Sequence, residues 1–394
     1  MDYVKSINIP EQSQKLSKKR PIRILQVVGG MNRAGAETWL MNVLRNIDRE
    51  SFQMDFLVHT TEPCAYDEEI HEVGGRVIPC LHPSKPWLYA KNFQKILREY
   101  GPYDVVHSHI HHFSGYILRL AKQAGVPTRI VHSHLDSSSH ESNLGWKRKL
   151  YVALMKSWIE QNSTLGLACS QDAANDLFGS NWKNDKRWQL LYYGIDLTPF
   201  HEEVDASKTR AELGIPEDAF VIGHVGRFEQ QKNHDFLIKI AAEIAKSEPK
   251  MRLLLVGNGS LHSHIEHQVQ TLGLSDRVIF TGSRSDVFRL MLGVMDVFLF
   301  PSLYEGLGLV LVEAQAAGLP CIISDVIPKE ADIVMPLIHR LCLTEQINVW
   351  VDAVLKTRNQ KTSTNQSNAL FYIKQSSFDI KKCIIKLVNV YGCE

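Results

Sequence analysis

The 394-residue chain has no C-x-x-C pair among its seven cysteines, Cys64, Cys80, Cys169, Cys321, Cys342, Cys383 and Cys393. They are odd in number, scattered and mostly set in apolar runs. That argues against a disulfide framework and a cysteine zinc site, and points to reduced thiols in a cytoplasmic protein. No apolar run reaches the roughly 18 residues of a membrane span. The N-terminal stretch MDYVKSINIPEQSQKLSKKR has no apolar core, so it is not a signal peptide and reads as a mobile tail. Charge of one sign is also missing. With 44 Lys+Arg against 43 Asp+Glu the net charge is +1, so no strong field draws the chain to nucleic acid or to bulk anionic membrane. There is no low-complexity tract, no repeat, no D-x-D and no G-x-G-x-x-G.

What remains is ordinary globular composition, 44% hydrophobic and 22% charged, over a length that suits two or three domains. Short β-branched apolar runs alternate with longer amphipathic segments, the pattern of parallel α/β architecture. Strands are predicted at Ile22–Val28, Phe52–His59, Arg76–Leu81, Asp104–His109, Thr128–His134, Leu165–Ser170 and Trp188–Tyr193. A polar, proline-bearing linker with one short helix follows near residue 200. A second series then starts, at Phe220–Val225, Arg252–Gly257, Val278–Thr281, Val297–Pro301 and Cys321–Ser324. Two doubly wound domains result, 21–198 and 199–375, with an amphipathic C-terminal segment over 376–394. In such sheets ligands bind beyond the carboxyl ends of the strands, so two of them facing each other make a cleft.

Several stretches could carry chemistry. In VVGGMNRAGAETWL (27–40) a strand ends at Gly29-Gly30 and a helix starts near Gly35, which suits either an anion or a plain tight turn. In GHVGRFEQQKNHDFLIKI (223–240) a strand delivers Arg227, Lys232 follows, and Asn233 stands as the cap of a helix. Two cations there suit a diphosphate, or form an ordinary solvated loop. In SLYEGLGLVLVEAQAAGLP (302–320), Glu305 lies at a glycine turn after a strand and Glu313 inside an apolar helix that ends at Gly318. A carboxylate there needs hydrogen-bond donors, from the protein or from ligand hydroxyls. Two H-x-H units at strand ends, His107/His109 and His132/His134, with His111, His112, Asp136 and His140 near them, read as metal ligands or as the polar lining of a cleft. The segment 145–161 interleaves Lys147, Arg148, Lys149 and Lys156 with Trp146, Tyr151 and Trp158. It reads as a core-packing helix with a solvated face or as a membrane-surface contact.

Taken in order, these features resemble the retaining glycosyltransferases of family 4, which have the GT-B fold. The resemblance runs from the glycine loop through VHSH, YGID, GRFEQQKN, LLLVGNG and FTGSRSDV to EGLGLVLVE, an E-x7-E motif, and the C-terminal helix. Its nearest flavour is that of bacterial exopolysaccharide and capsule transferases. Tyr193 is a departure, since such chains often carry Asn before GID. The resemblance implies α/β architecture with two Rossmann-like domains facing a cleft and a C-terminal helix crossing back to the first. It assigns catalytic roles to Arg227, Lys232, Glu305 and His132. The first two would neutralise a donor diphosphate, Glu305 would hold sugar hydroxyls and His132 would sit against the sugar. Donor contacts would come from Gly29 and Gly30, from Gly226, from Gly282 and Arg284 near the base, and from Gly306, Leu307, Gly308 and Leu309. Glu313 would take the ribose.

The activity so implied moves a hexosyl unit from a nucleotide-diphosphate sugar, a UDP-sugar by preference, to a hydroxyl of a glycan or lipid-linked acceptor, with retention. No metal or other cofactor is expected, and localisation would be cytoplasmic, with possible peripheral contact at the inner membrane face through 145–161. A retaining glycosidase needs two carboxyls about 5 Å apart. Glu305 and Glu313 stand roughly 10 Å or more apart along a helix, too far for that pair. Three alternatives stay open: a metal-dependent hydrolase built on the H-x-H pairs, a nucleotide-sugar epimerase on the same fold, and a non-catalytic subunit.

Overall fold

The computed structural model describes residues 20–134, 145–359 and 364–392. The expected N-terminal tail lies outside them except for Arg20, whose guanidinium donates to Asp104 at 2.7 Å. Asp136 and His140 also lie outside.

Seven strands form the first sheet: β1 (Ile22–Val28), β2 (Phe52–Val58), β3 (Val77–Pro79), β4 (Val105–Ser108), β5 (Thr128–Ser133), β6 (Leu165–Ala168) and β7 (Trp188–Leu190). Their order is β3-β2-β1-β4-β5-β6-β7. A second sheet holds β8 (Phe220–Val225), β9 (Met251–Val256), β10 (Val278–Gly282), β11 (Val297–Phe300), β12 (Cys321–Ser324) and β13 (Ile338–Leu341), in the order β10-β9-β8-β11-β12-β13. Every strand pair is parallel. Helices cover both faces, so the central strands are apolar without alternation: Ile24, Leu25, Val27, Phe298, Leu299 and Phe300 are all fully buried.

Each sheet reverses its winding at one place, between β1 and β4 in the first and between β8 and β11 in the second. Crevices open beyond the strands' carboxyl ends at such switch points. One therefore receives Gly29-Gly30 and His109, and the other receives Arg227 and Glu305.

The C-terminal helix, Ile380–Gly392, buries Ile380, Cys383, Leu387, Val390 and Tyr391 on one face. That face rests on the first domain. The Trp39 indole donates to Cys383 Sγ at 3.4 Å, and Gln26 Nε2 donates to the Tyr391 hydroxyl at 2.9 Å. Gly194 permits the crossing, since a Cβ there would stand 2.5 Å from the Ile380 Cα.

Some elements differ from the sequence reading. The edge strands β3 and β7 are three residues long, shorter than the sequence reading has them. The edge strand β13 was not anticipated, since its half-exposed IHRL lacks an apolar run. Asn233 does precede the helix His234–Ser247, but in a left-handed conformation (φ 54°) and without capping it. Its side chain instead donates to Pro301 O at 3.0 Å, tying the Lys232 loop to the loop after β11.

Candidate active site

The end of β8 and the end of β11 build one half of the site. After β8 the chain runs through Gly226 and Arg227 to the short turn Gln230–Lys232. Close backbone packing fixes this loop. A Cβ on Gly257 would lie 2.0 Å from Gly226 O, and one on Gly226 would meet the Lys232 methylenes at 3.1 Å. Lys232 thus lies folded across Gly226, with its Nζ 2.6 Å from Glu305 Oε1 and 4.7 Å from the centre of the Phe300 ring. The two side chains are 14% and 6% exposed, so this is a buried ion pair. Gln231 Nε2 donates to Tyr304 O at 3.0 Å and to Glu305 Oε2 at 3.3 Å. Arg227 is exposed, and no acceptor among the described residues holds its guanidinium.

Beyond Glu305 the chain turns through Gly306, Leu307 and Gly308 into the helix Leu309–Ala316. Gly308 takes the N-cap position at φ 81°, a conformation that favours glycine, and it brings no capping side chain. The amides of Gly306, Leu307, Gly308 and Leu309 have no acceptor among the described residues, although Gly306 to Leu309 are buried. Free amides on a helix start are an anion-binding arrangement. One turn on, Glu313 is half-buried and makes no side-chain hydrogen bond among the described residues. Burial pushes its carboxyl up to about 7.

The first domain supplies the other half. The amides of Gly29 and Gly30 carry no hydrogen bond among the described residues, and a Cβ on Gly30 would press on Cys64 Sγ and Thr60 at 3.1 and 3.2 Å. In the first helix, Gly35–Asn46, Glu37 is half-buried. Burial raises its carboxyl, while its own backbone amide and the Arg227 guanidinium of the second domain pull the other way. Glu37 and Arg227, on opposite domains, thus stand near enough for their charges to interact.

Four imidazoles cluster at the ends of β4 and β5, three of them stacked. His107 and His132 lie 5.3 Å apart with planes at 4°, and His132 and His134 lie 4.5 Å apart at 25°. His109 joins His134 and Gln26 by hydrogen bonds of 2.7 and 2.8 Å. Burial holds His107, His109 and His132 well below the usual imidazole range and His134 down to about 3. Ring nitrogens of His107, His109 and His132 come within 4.8 Å of one another. These are the residues that could hold a metal. A zinc ion at about 2.0–2.1 Å from each nitrogen needs imidazole edges converging on a point. Here His107 and His132 stack face to face, His109 is tilted against both, and both His109 nitrogens are engaged.

Comparison with known proteins agrees with this geometry. Residues 33–198 match the family model Glycosyltransferase Family 4, and residues 205–369 match Glycosyl transferases group 1. The chain is 39% identical over 377 residues to the putative glycosyltransferase EpsF of Bacillus subtilis, covering 94% of this chain and 96% of that one. It belongs to the GT-B glycosyltransferases. The capsular polysaccharide biosynthesis glycosyltransferase CapH of Staphylococcus aureus is 26% identical, with 92% and 98% coverage. The crystal structure of Anabaena Alr3699/HepE in complex with UDP and glucose superposes with a TM-score of 0.78 at 20% identity, over 95% of this chain and 100% of that one.

In this GT-B glycosyltransferase the structure gathers Arg227, Lys232, Glu305, Gly226 and the 306–309 turn at one switch point. Gly282, with φ 68°, joins them, because Gly257 N donates to its carbonyl at 2.9 Å. Arg284 is less available than expected, since Asp286 holds its guanidinium at 2.8 and 2.6 Å. His132 is a correction. Its ring is fully buried, with neither nitrogen hydrogen-bonded, so it does not line the cleft. The strand β5 stops at Ser133, and the residue past its end is His134, half-buried at the sheet's mouth. Glu37 was missed altogether, although an acid in a first helical turn just beyond a glycine loop was a usable signal.

The helix Trp146–Asn162 divides its residues between two faces. Met155 and Ile159 pack inward. Trp146, Leu150 and Leu154, at i, i+4 and i+8, are exposed at 71%, 64% and 45%. No helix among the described residues is long and apolar enough to cross a membrane.

Proposed function

We propose that this glycosyltransferase moves a hexosyl unit from a nucleotide-diphosphate sugar, a UDP-sugar by preference, to a hydroxyl of a glycan or lipid-linked acceptor with retention of configuration. The setting would be exopolysaccharide or capsule synthesis at the cytoplasmic side of the membrane. The observation that carries the reading is the run of amides at Gly306–Leu309 that are unpaired among the described residues, set beside the Lys232–Glu305 pair and an Arg227 guanidinium that no described residue holds. Such a cluster suits a diphosphate. The capsular assignment of CapH and the UDP and glucose bound to HepE support the donor and pathway classes.

Each residue then has a task. Arg227 and Lys232 stabilise the charge that builds on the departing diphosphate, in place of a metal. Glu305 is fixed by Lys232 and Gln231 and turns toward sugar hydroxyls. Glu313 accepts hydrogen bonds from the ribose. The Gly29 and Gly30 amides approach the diphosphate from the other domain, and His134 takes the place first assigned to His132. Same-face attack, with the leaving phosphate receiving the acceptor's proton, needs no protein nucleophile. Domain closure would keep water out. Trp146, Leu150 and Leu154, flanked by Lys147, Arg148 and Lys149, would rest on an anionic lipid surface, where a lipid-linked acceptor is found.

The test is thermal stabilisation by a panel of nucleotide sugars, followed by nucleotide release with and without acceptor glycans. Binding to the folded state raises the melting temperature with affinity. A panel with no stabilising member sinks the donor reading, and isomerisation of the sugar without acceptor favours an epimerase.

A further inference from the structure

Gln26 is fully buried at the centre of β1, where neighbouring positions are Leu25 and Val27. A primary amide in such a place has to satisfy both ends. Its Oε1 stands 2.8 Å from His109 Nε2 and its Nε2 stands 2.9 Å from the Tyr391 hydroxyl. His109 Nδ1 is 2.7 Å from His134 Nε2, and His134 Nδ1 meets the hydroxyl of Tyr193. At the other end, the Tyr391 hydroxyl is 3.0 Å from His107 Nδ1. The chain of contacts thus links the C-terminal helix to the cleft mouth.

We propose that Tyr391 is a positioning residue for His134, acting through a hydrogen-bond relay through Gln26 and His109 that runs in one direction. The direction follows from the amide. A carbonyl oxygen only accepts, so His109 Nε2 carries a proton. A neutral imidazole carries one proton, so His109 Nδ1 accepts from His134 Nε2–H. By the same rule His134 Nδ1 accepts from the Tyr193 hydroxyl. At the far end Tyr391 accepts from Gln26 Nε2–H and donates to His107 Nδ1. His107 Nε2 then keeps its proton, and it is the His107 nitrogen without a partner. Reversing the amide would reverse every bond. Met54 selects between the two, because its sulfur lies 3.8 Å from Gln26 Nε2 and accepts weakly from an N–H, whereas a carbonyl oxygen there would face another lone pair. Burial keeps the rings neutral, as the relay requires.

The consequence is a fixed ring orientation and a single tautomer for His134, set from a residue 257 positions away in the sequence (391 − 134). The effect on turnover rests on the function proposed above, but the tautomer does not. The experiment reads both. Long-range 1H–15N correlation spectra of the full chain labelled on histidine should show Nε2–H tautomers at His107, His109 and His134, assigned from single His variants. Tyr391→Phe removes only the hydroxyl and leaves the Gln26 N–H with just the weak Met54 sulfur to accept it, so the preference for one amide orientation should fall and the single tautomer at His134 should give way to a mixture. The same variant should keep its stabilisation by UDP, whose proposed contacts, in the second domain and at the Gly29 and Gly30 amides, do not include Tyr391. With the nucleotide sugar that stabilises the wild type best, kcat should fall about fivefold, the weight of one neutral hydrogen bond, at unchanged donor KM. Gln26→Met provides a second break in the same relay and should give the same mixture. An Nδ1–H tautomer at His134 in the wild type, or an unaltered His134 in both variants, overturns the relay. Altered tautomers with unchanged kcat overturn the positioning role, while an absence of any turnover in the wild type bears only on the proposed function.

Discussion

Donor binding should weaken as pH falls through about 7, and Glu313→Gln should abolish that dependence. Burial lifts the Glu313 carboxyl to about 7 with no donor from the described residues to hold its charge. If the ribose hydroxyls donate to this carboxylate, the ionised form binds and the protonated form does not. With a value near 7, about one site in eleven is ionised at pH 6 and about ten in eleven at pH 8. Affinity should therefore rise about tenfold across that window, or about 1.4 kcal/mol. The ligand should be a nucleotide sugar, because the terminal phosphate of a free nucleoside diphosphate itself titrates near about 6. The four clustered imidazoles do not interfere, since burial holds each far below the window. Calorimetry in two buffers of different ionisation enthalpy adds a second reading: binding near pH 6.5 should release a proton in the wild type and none in Glu313→Gln. Stability has its own sign. The folded value is raised above the unfolded one, so the protonated form favours folding at low pH and that contribution is lost as pH rises through about 7. Glu313→Gln should thus melt higher than the wild type at pH 8 and close to it at pH 5. A flat wild-type affinity from pH 6 to 8, or a slope that survives in Glu313→Gln, would refute the ribose role.

Lys232→Ala should lower turnover by about 100-fold or more, the weight of one preorganised charge on a leaving group. It should also lower stability by about 3–5 kcal/mol, because Glu305 is left buried and alone; adding Glu305→Gln should restore the melting temperature without restoring turnover, and a recovery of both would remove Lys232 from the chemistry. Nucleotide release should survive EDTA, and a loss that zinc reverses, with zinc found in purified protein, would move the histidine stack into a metal-dependent hydrolase. Sedimentation with vesicles containing anionic lipid should carry down the wild type and far less of a Leu150→Ser/Leu154→Ser variant; equal binding of the two would show that this face is not the membrane contact.

Much of this fold was readable because buried parallel strands write themselves as unbroken apolar runs. The bounds of β1, β8 and β12 coincide with the sequence reading for that reason. The glycine positions were readable too, since a strand end followed by glycine recurs at Gly29, Gly226, Gly257 and Gly282. What the sequence could not display is pairing across distance. Lys232 and Glu305 are 73 residues apart, and Gln26 and Tyr391 are 365 apart. Neither separation leaves a periodic trace. His132 was chosen over His134 because choosing between them depends on where β5 stops, and strand ends are the least marked part of a strand. Arg284 was readable and was passed over: Asp286 stands two residues on and ties it up.

The two cations of the site are held in different ways, and this bears on how a diphosphate would be treated there. Lys232 is pinned by Glu305, by the Phe300 ring and by its fit over Gly226, so its position does not depend on a ligand. Glu305 cancels its charge at a distance but cannot cancel its field at short range, where the ammonium protons point. Arg227 is exposed and unpaired among the described residues, and its charge meets those of Glu37 in the other domain and of Glu229 two residues on. Together the two cations and Glu305 leave one net positive charge, and the open helix start adds about half a charge more. That nearly balances the roughly two negative charges of a bound diphosphate. The balance improves if Glu37 is neutral, which is the form its burial favours. In the proposed reaction, as the leaving group gains charge, the fixed ammonium and the fixed amides would stabilise it without having to move. The guanidinium is the one of the two cations free to follow it. A buried pair that looks like lost binding capacity would thus be the feature that preorganises the proposed site.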